Sequence, residues 1–539
     1  MSSDREAAGA GRPFTAADLD ACLKVLEAFV DDRALLAGVS AEDRRRLLLA
    51  AGRVSRPERA EQRELARAFR KSDRRAQRSA DTAILDAAGI RVARREPVFR
   101  TPDAPALSPS TAVAPVAPAV DPAAAPAVDP AAPAIDPADE PAPPSDAGAP
   151  ELARPRKCYV CKAEFRKVHF FYDSMCTPCG DFNYTKRSQT APLDGRVALV
   201  TGARVKIGYQ AAIMLLRAGA RVIVTTRFPH DAARRFSAER DFDVWGARLS
   251  IYGLDLRHTP SVELFTRHLL RTLDRLDFVL NNACQTVRRP PGFYSHLIEG
   301  ETAPVRALPG SAQPLLRDYD VLRERGTLPL VAGGDPSAGI REPALLSQIP
   351  GPGDEPLDEV LFPRGRYDAD LQQVDLRSMN SWRLTLAEVP TVELLEVQLV
   401  NAVAPFVLNS RLKPLMLRQP TFDRHIVNVS AMEGQFYRRY KTDRHPHTNM
   451  AKAALNMMTR TSAPDYAKDG IFMNSVDTGW VTDEDPAALA ARKLEEHGFH
   501  PPLDIVDGAA RICDPIFSGL LTGQHRYGQF LKDYMPADW

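Results

Sequence analysis

The feature that most restricts this fold is a strand that runs through a glycine-bearing turn into a helix. Residues 196–201 (RVALVT) are apolar and β-branched, Thr201-Gly202-Ala203-Arg204-Val205-Lys206-Ile207-Gly208 follows, and 207–220 reads as helical. That order lets backbone N–H groups and a helix N-terminus meet a pyrophosphate. Further strands are predicted at 221–226 (RVIVTT) and 276–280 (LDFVL), spaced by helix-length segments. Such alternation builds βαβ units and a parallel sheet, so the predicted class over 193–539 is α/β with a doubly wound sheet.

The chain has 539 residues, more than one ordinary domain needs. Residues 14–96 are predicted to be helical, opened by Thr15 with Asp18, Ser40 with Asp43 and Ser55 with Glu58. An apolar stripe of Leu19, Cys22, Leu23, Leu26, Phe29 and Val30 marks the first helix. Residues 53–100 hold 14 basic and 7 acidic side chains. That excess fits a nucleic-acid or acidic-partner surface, or a solvated helical face; Phe69 and Phe99 are the only aromatic residues among these arginines, which favours the solvated face. Residues 97–155 form a Pro/Ala-rich linker, expected to be disordered, because proline at that density leaves little to bury. The overall net charge of +1 disfavours a dedicated polyanion binder. No run of 18 apolar residues is present, so no transmembrane helix is expected, and a cytoplasmic location is.

Residues 156–187 are predicted to be a zinc-binding module. Cys158 and Cys161 are separated from Cys176 and Cys179 by 14 residues. Two C-x-x-C knuckles supply four thiolates, the closed tetrahedral shell of structural Zn2+. His169 is an alternative ligand, but packing against Phe170, Phe171 and Tyr172 is favoured. The module is expected to stabilise a small fold or to contact protein or nucleic acid. Cys22, Cys284 and Cys513 are expected to be buried small apolar residues.

Further motifs follow the first turn in order: Gly253-Leu254-Asp255-Leu256, Asn281-Asn282-Ala283, Asn401 in VNAVAPF, 426–430 (IVNVS), Lys452 in NMAKAALNMMTRT, and 474–479 (NSVDTG). This ordered set resembles the short-chain dehydrogenase/reductase superfamily over about 195–288 and 394–535. The resemblance implies a Rossmann-type core binding NADP(H) or NAD(H), an unknown small-molecule substrate, and a homo-oligomer. It places Gly202, Ile207 and Gly208 at the cofactor phosphates and Asp255 and Leu256 at the adenine. Asn281 and Ala283 would line the adenosine ribose, and Lys452 the nicotinamide ribose. Thr478 and Gly479 match the family's Pro-Gly loop, with Thr in place of Pro. The second strand ends in Thr225-Thr226-Arg227, with Arg204 in the glycine turn. Cations and no carboxylate at that end favour a 2′-phosphate, hence NADP(H).

Three departures from the family pattern stand out. Lys206 replaces the second glycine. Thr448 occupies the position of the catalytic tyrosine, four residues before Lys452, and Ala431 that of the catalytic serine, beside Ser430. An aliphatic hydroxyl has far too high a pKa to act as the phenol does. Asn401 and Lys452 keep their family roles, and Tyr437, His445 and His447 are candidate substitute acids. Finally, 289–393 is an insertion that emerges at the ligand edge of the sheet, where a lid or oligomer contact is expected; Asp375, Arg377, Asn380 and Trp382 near its end are candidate pocket residues. Two functions therefore stand: an NADP(H)-dependent oxidoreductase with an altered proton donor, and a catalytically silent NAD(P)-binding sensor or scaffold.

Overall fold

The computed structural model describes residues 15–103, 150–325, 335–350, 360–437 and 441–539. The proline-rich repeat at 104–149 and the Gly/Pro-rich stretches at 326–334 and 351–359 lie outside them. The chain divides into two units, residues 1–80 and 81–539.

In the first unit, helix Ala16–Asp31 opens on a full capping box between Thr15 and Asp18. Ser40 caps helix Ala41–Ser55 through the Asp43 amide. The third expected cap is not made by Ser55: that residue ends the second helix, its hydroxyl donates to Gly52 O at 3.2 Å, and helix Arg59–Asp86 starts after Glu58. None of these three helices has a fully buried residue. The apolar stripe is correspondingly open, with Leu19, Leu23 and Val30 exposed. Cys22 is exposed too, contrary to expectation, and so is Cys284; only Cys513 of that trio is buried.

The second unit is built on an eight-stranded sheet. Its strands follow a two-stranded ribbon, β1 (Glu151–Lys157) and β2 (Glu164–Lys167), and are β3 (Val197–Thr201), β4 (Arg221–Thr226), β5 (Leu249–Gly253), β6 (Phe278–Asn281), β7 (Arg424–Ser430), β8 (Ile471–Asp477), β9 (Phe530–Lys532) and β10 (Met535–Ala537). The order is β10-β9-β8-β7-β6-β3-β4-β5, parallel except for the β9–β10 hairpin. The central strands are buried along their whole length, as a parallel sheet covered on both faces requires. Connections leave in opposite directions from β3 and β6, so the ligand crevice is expected at the carboxyl ends of these neighbours.

The cysteine module is larger than expected and is docked on this core. β1 extends it back to Glu151, with Pro155 exposed on the strand and a register break between Glu151 and Arg156, a tolerated place for proline. The linker expectation for 97–103 is also corrected: Phe99 N–H donates to Ala369 O at 2.8 Å, and Thr101 bridges Gln210 and Glu239. Helix Gly89–Arg95, expected to belong to the helical region, joins the module instead, burying Ile90 and pairing Arg91 with Asp173 at 2.6 Å.

Module and core are joined by ion pairs. Helix Thr177–Ser188 packs on helix Ile505–Thr522. Arg187 reaches Asp504 at 2.7 Å and Asp507 at 2.9 Å, and the Tyr172 hydroxyl donates to Asp507 at 2.5 Å. Lys186 pairs with Asp514 at 2.8 Å.

The insertion is anchored at the opposite end of the glycine-turn region. The Glu301 carboxylate accepts the His230 and Asp231 amides at the start of helix Pro229–Ser237, at 3.0 and 2.7 Å. One helical run among the described residues, Thr391–Met416, is long and apolar enough to cross a membrane. It forms one wall of the sheet here, burying Val397, Leu408, Leu412 and Leu415 while exposing Leu395 and Phe406.

Replacing Arg187 by Ala removes the cation between two buried carboxylates. The expected cost is about 3–5 kcal/mol of folding free energy, read by urea denaturation; a loss below about 1 kcal/mol would show that the docking does not depend on this pair.

Candidate functional site

The turn after β3 is locked to the end of β6. Gly202 has φ +66°, and a Cβ there would come within 2.7 Å of Ala283 Cα. The Asn282 amide donates to Thr201 O and Gly202 O at 3.0 and 3.1 Å, and Ala283 N–H donates to the Thr201 hydroxyl at 3.0 Å. A Cβ on Gly208 would sit 2.3 Å from Asn282 Nδ2. Both glycines are therefore required by packing, independently of any ligand. Lys206 departs from the family residue but keeps a left-handed backbone, φ +59°, a conformation that costs a non-glycine residue of order 1 kcal/mol. It opens helix Lys206–Arg217, whose first-turn amides have no intrahelical partners.

A cleft of about 610 Å³ lies over this turn. Gly202, Arg204, Ile207, Gly208, Thr226, Arg227, Asp255, Leu256 and Ala283 all line it, as expected from the sequence. Asn281 does not: its amide donates to Asn409 on the covering helix and to Asn428 on β7, at 2.8 Å each. Asn282 lines the cleft in its place.

The charged groups here are partly committed. Asp255 is gripped by Arg257, whose Nη2 lies 2.6 Å from Oδ2, and Arg257 in turn meets Glu396 at 2.8 Å. Burial opposes ionisation of Asp255, but Arg257 outweighs it and holds the carboxyl below its usual range. Arg204 pairs with Asp231 at 2.7 Å and with Gln372 Oε1 at 2.8 Å. The expectation of two free cations at the end of β4 is thus corrected, since a carboxylate five residues beyond the strand neutralises Arg204. Arg227 donates to the Tyr294 hydroxyl at 2.7 Å, with its guanidinium 4.7 Å from the ring centre. Burial would push the Tyr294 phenol up, but Arg227, Arg289 and Arg204 together bring it below its ordinary value.

Tyr294, Arg289, Gln372, Asp375 and Arg377 come from the insertion and line the cleft, so the insertion builds part of the site. Asp375 pairs with Arg377 at 2.7 Å and with Arg289. Tyr294 sits on helix Pro291–Thr302 within the insertion and Gln372 in an irregular stretch, and neither belongs to a motif that marks it in the sequence.

The end of the site expected to be catalytic is closed. Lys452 is buried, and its Nζ donates to Val429 O at 2.7 Å. Asn401 sits in a π-helical turn, Leu399–Val403, and is held by both backbone groups of Gln285. Insertions of this kind into helices recur at functional sites. Thr448 is buried, and its hydroxyl has no hydrogen-bond partner among the described residues, while Ser430 donates to Asn456 at 2.6 Å. Lys452, Asn401 and Thr448 do not line the cleft, and neither do Thr478 and Gly479, although Val481–Pro486 just beyond them do.

The tail of the insertion passes across the start of helix Pro446–Lys468, which bears Thr448 and Lys452. Trp382 stacks on His445 with ring centres 3.9 Å apart, the His445 amide donates to Leu384 O, and Asn380 donates to Glu484 O at 2.8 Å. The substitute acids are not gathered at Lys452. Tyr437 is exposed, His447 faces Glu393 at 3.5 Å, and His445 is committed to Trp382.

The four cysteines come together as expected, with all sulfurs within 4.8 Å of one another and Cys161 and Cys176 at 3.6 Å. A tetrahedron with bonds of about 2.3 Å needs sulfurs about 3.8 Å apart, so the group fits a zinc ion. Cys161 is brought down to about 7, chiefly by the Ala163 amide, which favours the thiolate a metal needs. His169 is not a ligand: its Nδ1 accepts the Phe171 and Tyr172 amides at 3.1 Å, and its Nε2 lies 3.2 Å from Asp181.

Burial first, then His447, lowers His445 from 6.5 to about 4. A depressed histidine contributes stability that is present above its unfolded value near 6.5 and lost as pH falls through about 4. Tryptophan fluorescence of the folded protein should therefore change as pH falls through about 4, where His445 protonates and the Trp382 stack opens. Trp382→Phe and His445→Asn should each abolish that change; its persistence in both would place the transition elsewhere.

Comparison with known proteins gives the family. The short chain dehydrogenase family model matches residues 196–296, and a second, described as enoyl-(acyl carrier protein) reductase, matches 380–499. An uncharacterized protein of Acanthamoeba polyphaga mimivirus is 31% identical over 373 residues, covering 67% of this chain and 71% of that one. Retinol dehydrogenase 12 of Bos taurus is 32% identical over 111 residues, 20% of this chain, and the match spans about a third (34%) of that relative's length. Fatty acyl-CoA reductase of Acinetobacter baylyi is 30% identical over 95 residues, 18% of this chain and 31% of the relative. Among solved structures, the Pseudomonas aeruginosa RhlG/NADP active-site complex aligns with 63% of this chain and 94% of its own, at 18% identity and TM-score 0.39. The chain belongs to the short-chain dehydrogenase/reductase superfamily.

Proposed function

We propose that this protein is an NADP(H)-dependent oxidoreductase whose proton donor is not the residue at the family's tyrosine position. The observation that carries the reading is the cleft over the locked glycine turn, at the point where the strand order reverses. Helix Lys206–Arg217 offers amides to a pyrophosphate, with Lys206 beside them. Arg227 at the end of β4 is the cation best placed for a 2′-phosphate, because Arg204 is balanced by Asp231. Lys452 would hold the nicotinamide ribose after leaving Val429 O. The bound dinucleotide supplies or accepts the hydride; the chain supplies orientation and the proton.

That proton decides the substrate class. A carbonyl reduced to an alcohol needs an acid beside Lys452, and neither Thr448 nor Ala431 offers one. Reduction of an activated double bond tolerates a more distant donor, so it fits these residues better. A second reading, a dinucleotide-binding sensor or scaffold without turnover, is favoured by the buried, unpartnered Thr448 hydroxyl and by the 380–385 segment over the helix start.

Fluorescence titration with NADPH and NADH tests the common part. Wild type should bind NADPH more tightly than NADH, and Arg227→Ala should remove most of that preference. Lys452→Ala should weaken NADPH binding roughly tenfold, the loss of a charged hydrogen bond. No binding of either dinucleotide would sink both readings. Oxidation of bound NADPH by an activated alkene would support the oxidoreductase; binding without oxidation by any alkene or carbonyl compound would leave the sensor.

A further inference from the structure

The cysteine module touches the walls of the cleft, not only the far side of the core. Tyr159 lies between the two cysteines of the first knuckle. Its hydroxyl accepts the Trp480 amide at 3.1 Å and stands 3.2 Å from where a Cβ on Gly479 would lie. Gly479 has φ +75°, and a Cβ there would also strike Leu503 at 2.4 Å, so the loop is pinned between Tyr159 and Leu503. Immediately beyond the pinned residues, Val481, Thr482, Asp483, Glu484 and Asp485 line the cleft.

The opposite wall is reached by packing. Cys158, Tyr172 and Met175 form one apolar cluster with Val481, Leu503, Ile505 and Val506. Tyr159, Cys176 and Cys179 pack against it, and so do Ile207 and Met214 of the glycine-turn helix. Ile207 and Ile505 themselves line the cleft. Residues around the sulfurs and residues around the dinucleotide cleft therefore share one packed cluster, and a tightly packed cluster transmits changes in its parts.

We propose that metal binding to Cys158, Cys161, Cys176 and Cys179 sets the affinity of the cleft for the dinucleotide, with Tyr159 as the positioning residue that carries the coupling. The inference rests on the dinucleotide reading above. A metal fixes the knuckle, the knuckle fixes the Tyr159 hydroxyl, and the hydroxyl holds the 479–480 turn from which the cleft-lining residues follow. Coupling of this kind is reciprocal: the nucleotide must hold the metal more tightly by the same factor. A module that only stabilises the fold through Arg187 and Lys186 would show neither effect once the protein is folded.

The test uses the full chain loaded with zinc. Tyr159→Phe removes one hydroxyl and leaves all four thiols. The variant should keep wild-type zinc content but bind NADPH roughly five- to tenfold more weakly, about the worth of one hydrogen bond. In wild type, saturating NADPH should reduce the zinc released at equilibrium to a competing chromophoric chelator, tightening zinc binding by a similar factor, and in Tyr159→Phe it should not. The release measurement on wild type needs no variant, so it decides the matter even if Tyr159→Phe folds poorly. Unchanged zinc release in wild type with NADPH bound would overturn the coupling while leaving the dinucleotide reading standing, as would wild-type NADPH affinity in folded Tyr159→Phe. Failure of the zinc-loaded protein to bind NADPH at all would overturn both.

Discussion

The junction between the carboxyl ends of β3 and β6 governs the architecture of the larger unit. Asn282 ties the Gly202 turn through two carbonyl oxygens, and Gly202 has no Cβ because Ala283 occupies that space. With the turn fixed, helix Lys206–Arg217 must leave on one side of the sheet and the connection from β6 on the other. The gap between them is the cleft. Both large departures from a minimal core act on that gap. The insertion starts a few residues after Asn282 and returns over the helix bearing Lys452, while the cysteine module packs against Ile207 and the loop after β8.

These additions change the chemistry the site can support. The end of the cleft at Asp255 and Arg204 is rich in charge, but most of it is internally paired, as Asp255 is with Arg257 and Arg204 with Asp231. A ligand entering there exchanges protein ion pairs for its own. At the other end, Lys452 and Asn401 are satisfied by backbone groups, and Trp382 stacked on His445 belongs to a segment that crosses the helix start. On the proposed reading, a role for Lys452 at a bound dinucleotide would require its ammonium to leave Val429 O.

Much of this could be read from the sequence because short local patterns carry it. Strand–turn–helix order located β3 and its glycines, β-branched runs located β4 and β6, and C-x-x-C spacing gathered the four sulfurs. What could not be read depends on partners far along the chain. Asn281 and Asn282 are chemically identical neighbours, and only the strand's alternation sends one into the sheet and the other to the turn. Arg204 looked free because Asp231 and Gln372 are distant in sequence. The contact of Tyr159 with Trp480 has no sequence signal, since nothing in the C-x-x-C pattern announces a partner so far along the chain. The stripe on helix Ala16–Asp31 follows the helical period, yet Leu19, Leu23 and Val30 are exposed: the period defines a face, not what covers it.

Hydrogen–deuterium exchange with and without NADPH tests the central claim, that one cleft bounded by the locked turn, the insertion and the loop after β8 receives the dinucleotide. The account predicts slower exchange on NADPH binding in peptides spanning 201–208, 282–289 and 478–486. It also predicts faster exchange at 380–385 if Lys452 is to reach the ligand. Protection confined to other parts of the chain, or no change at saturating NADPH, would contradict it.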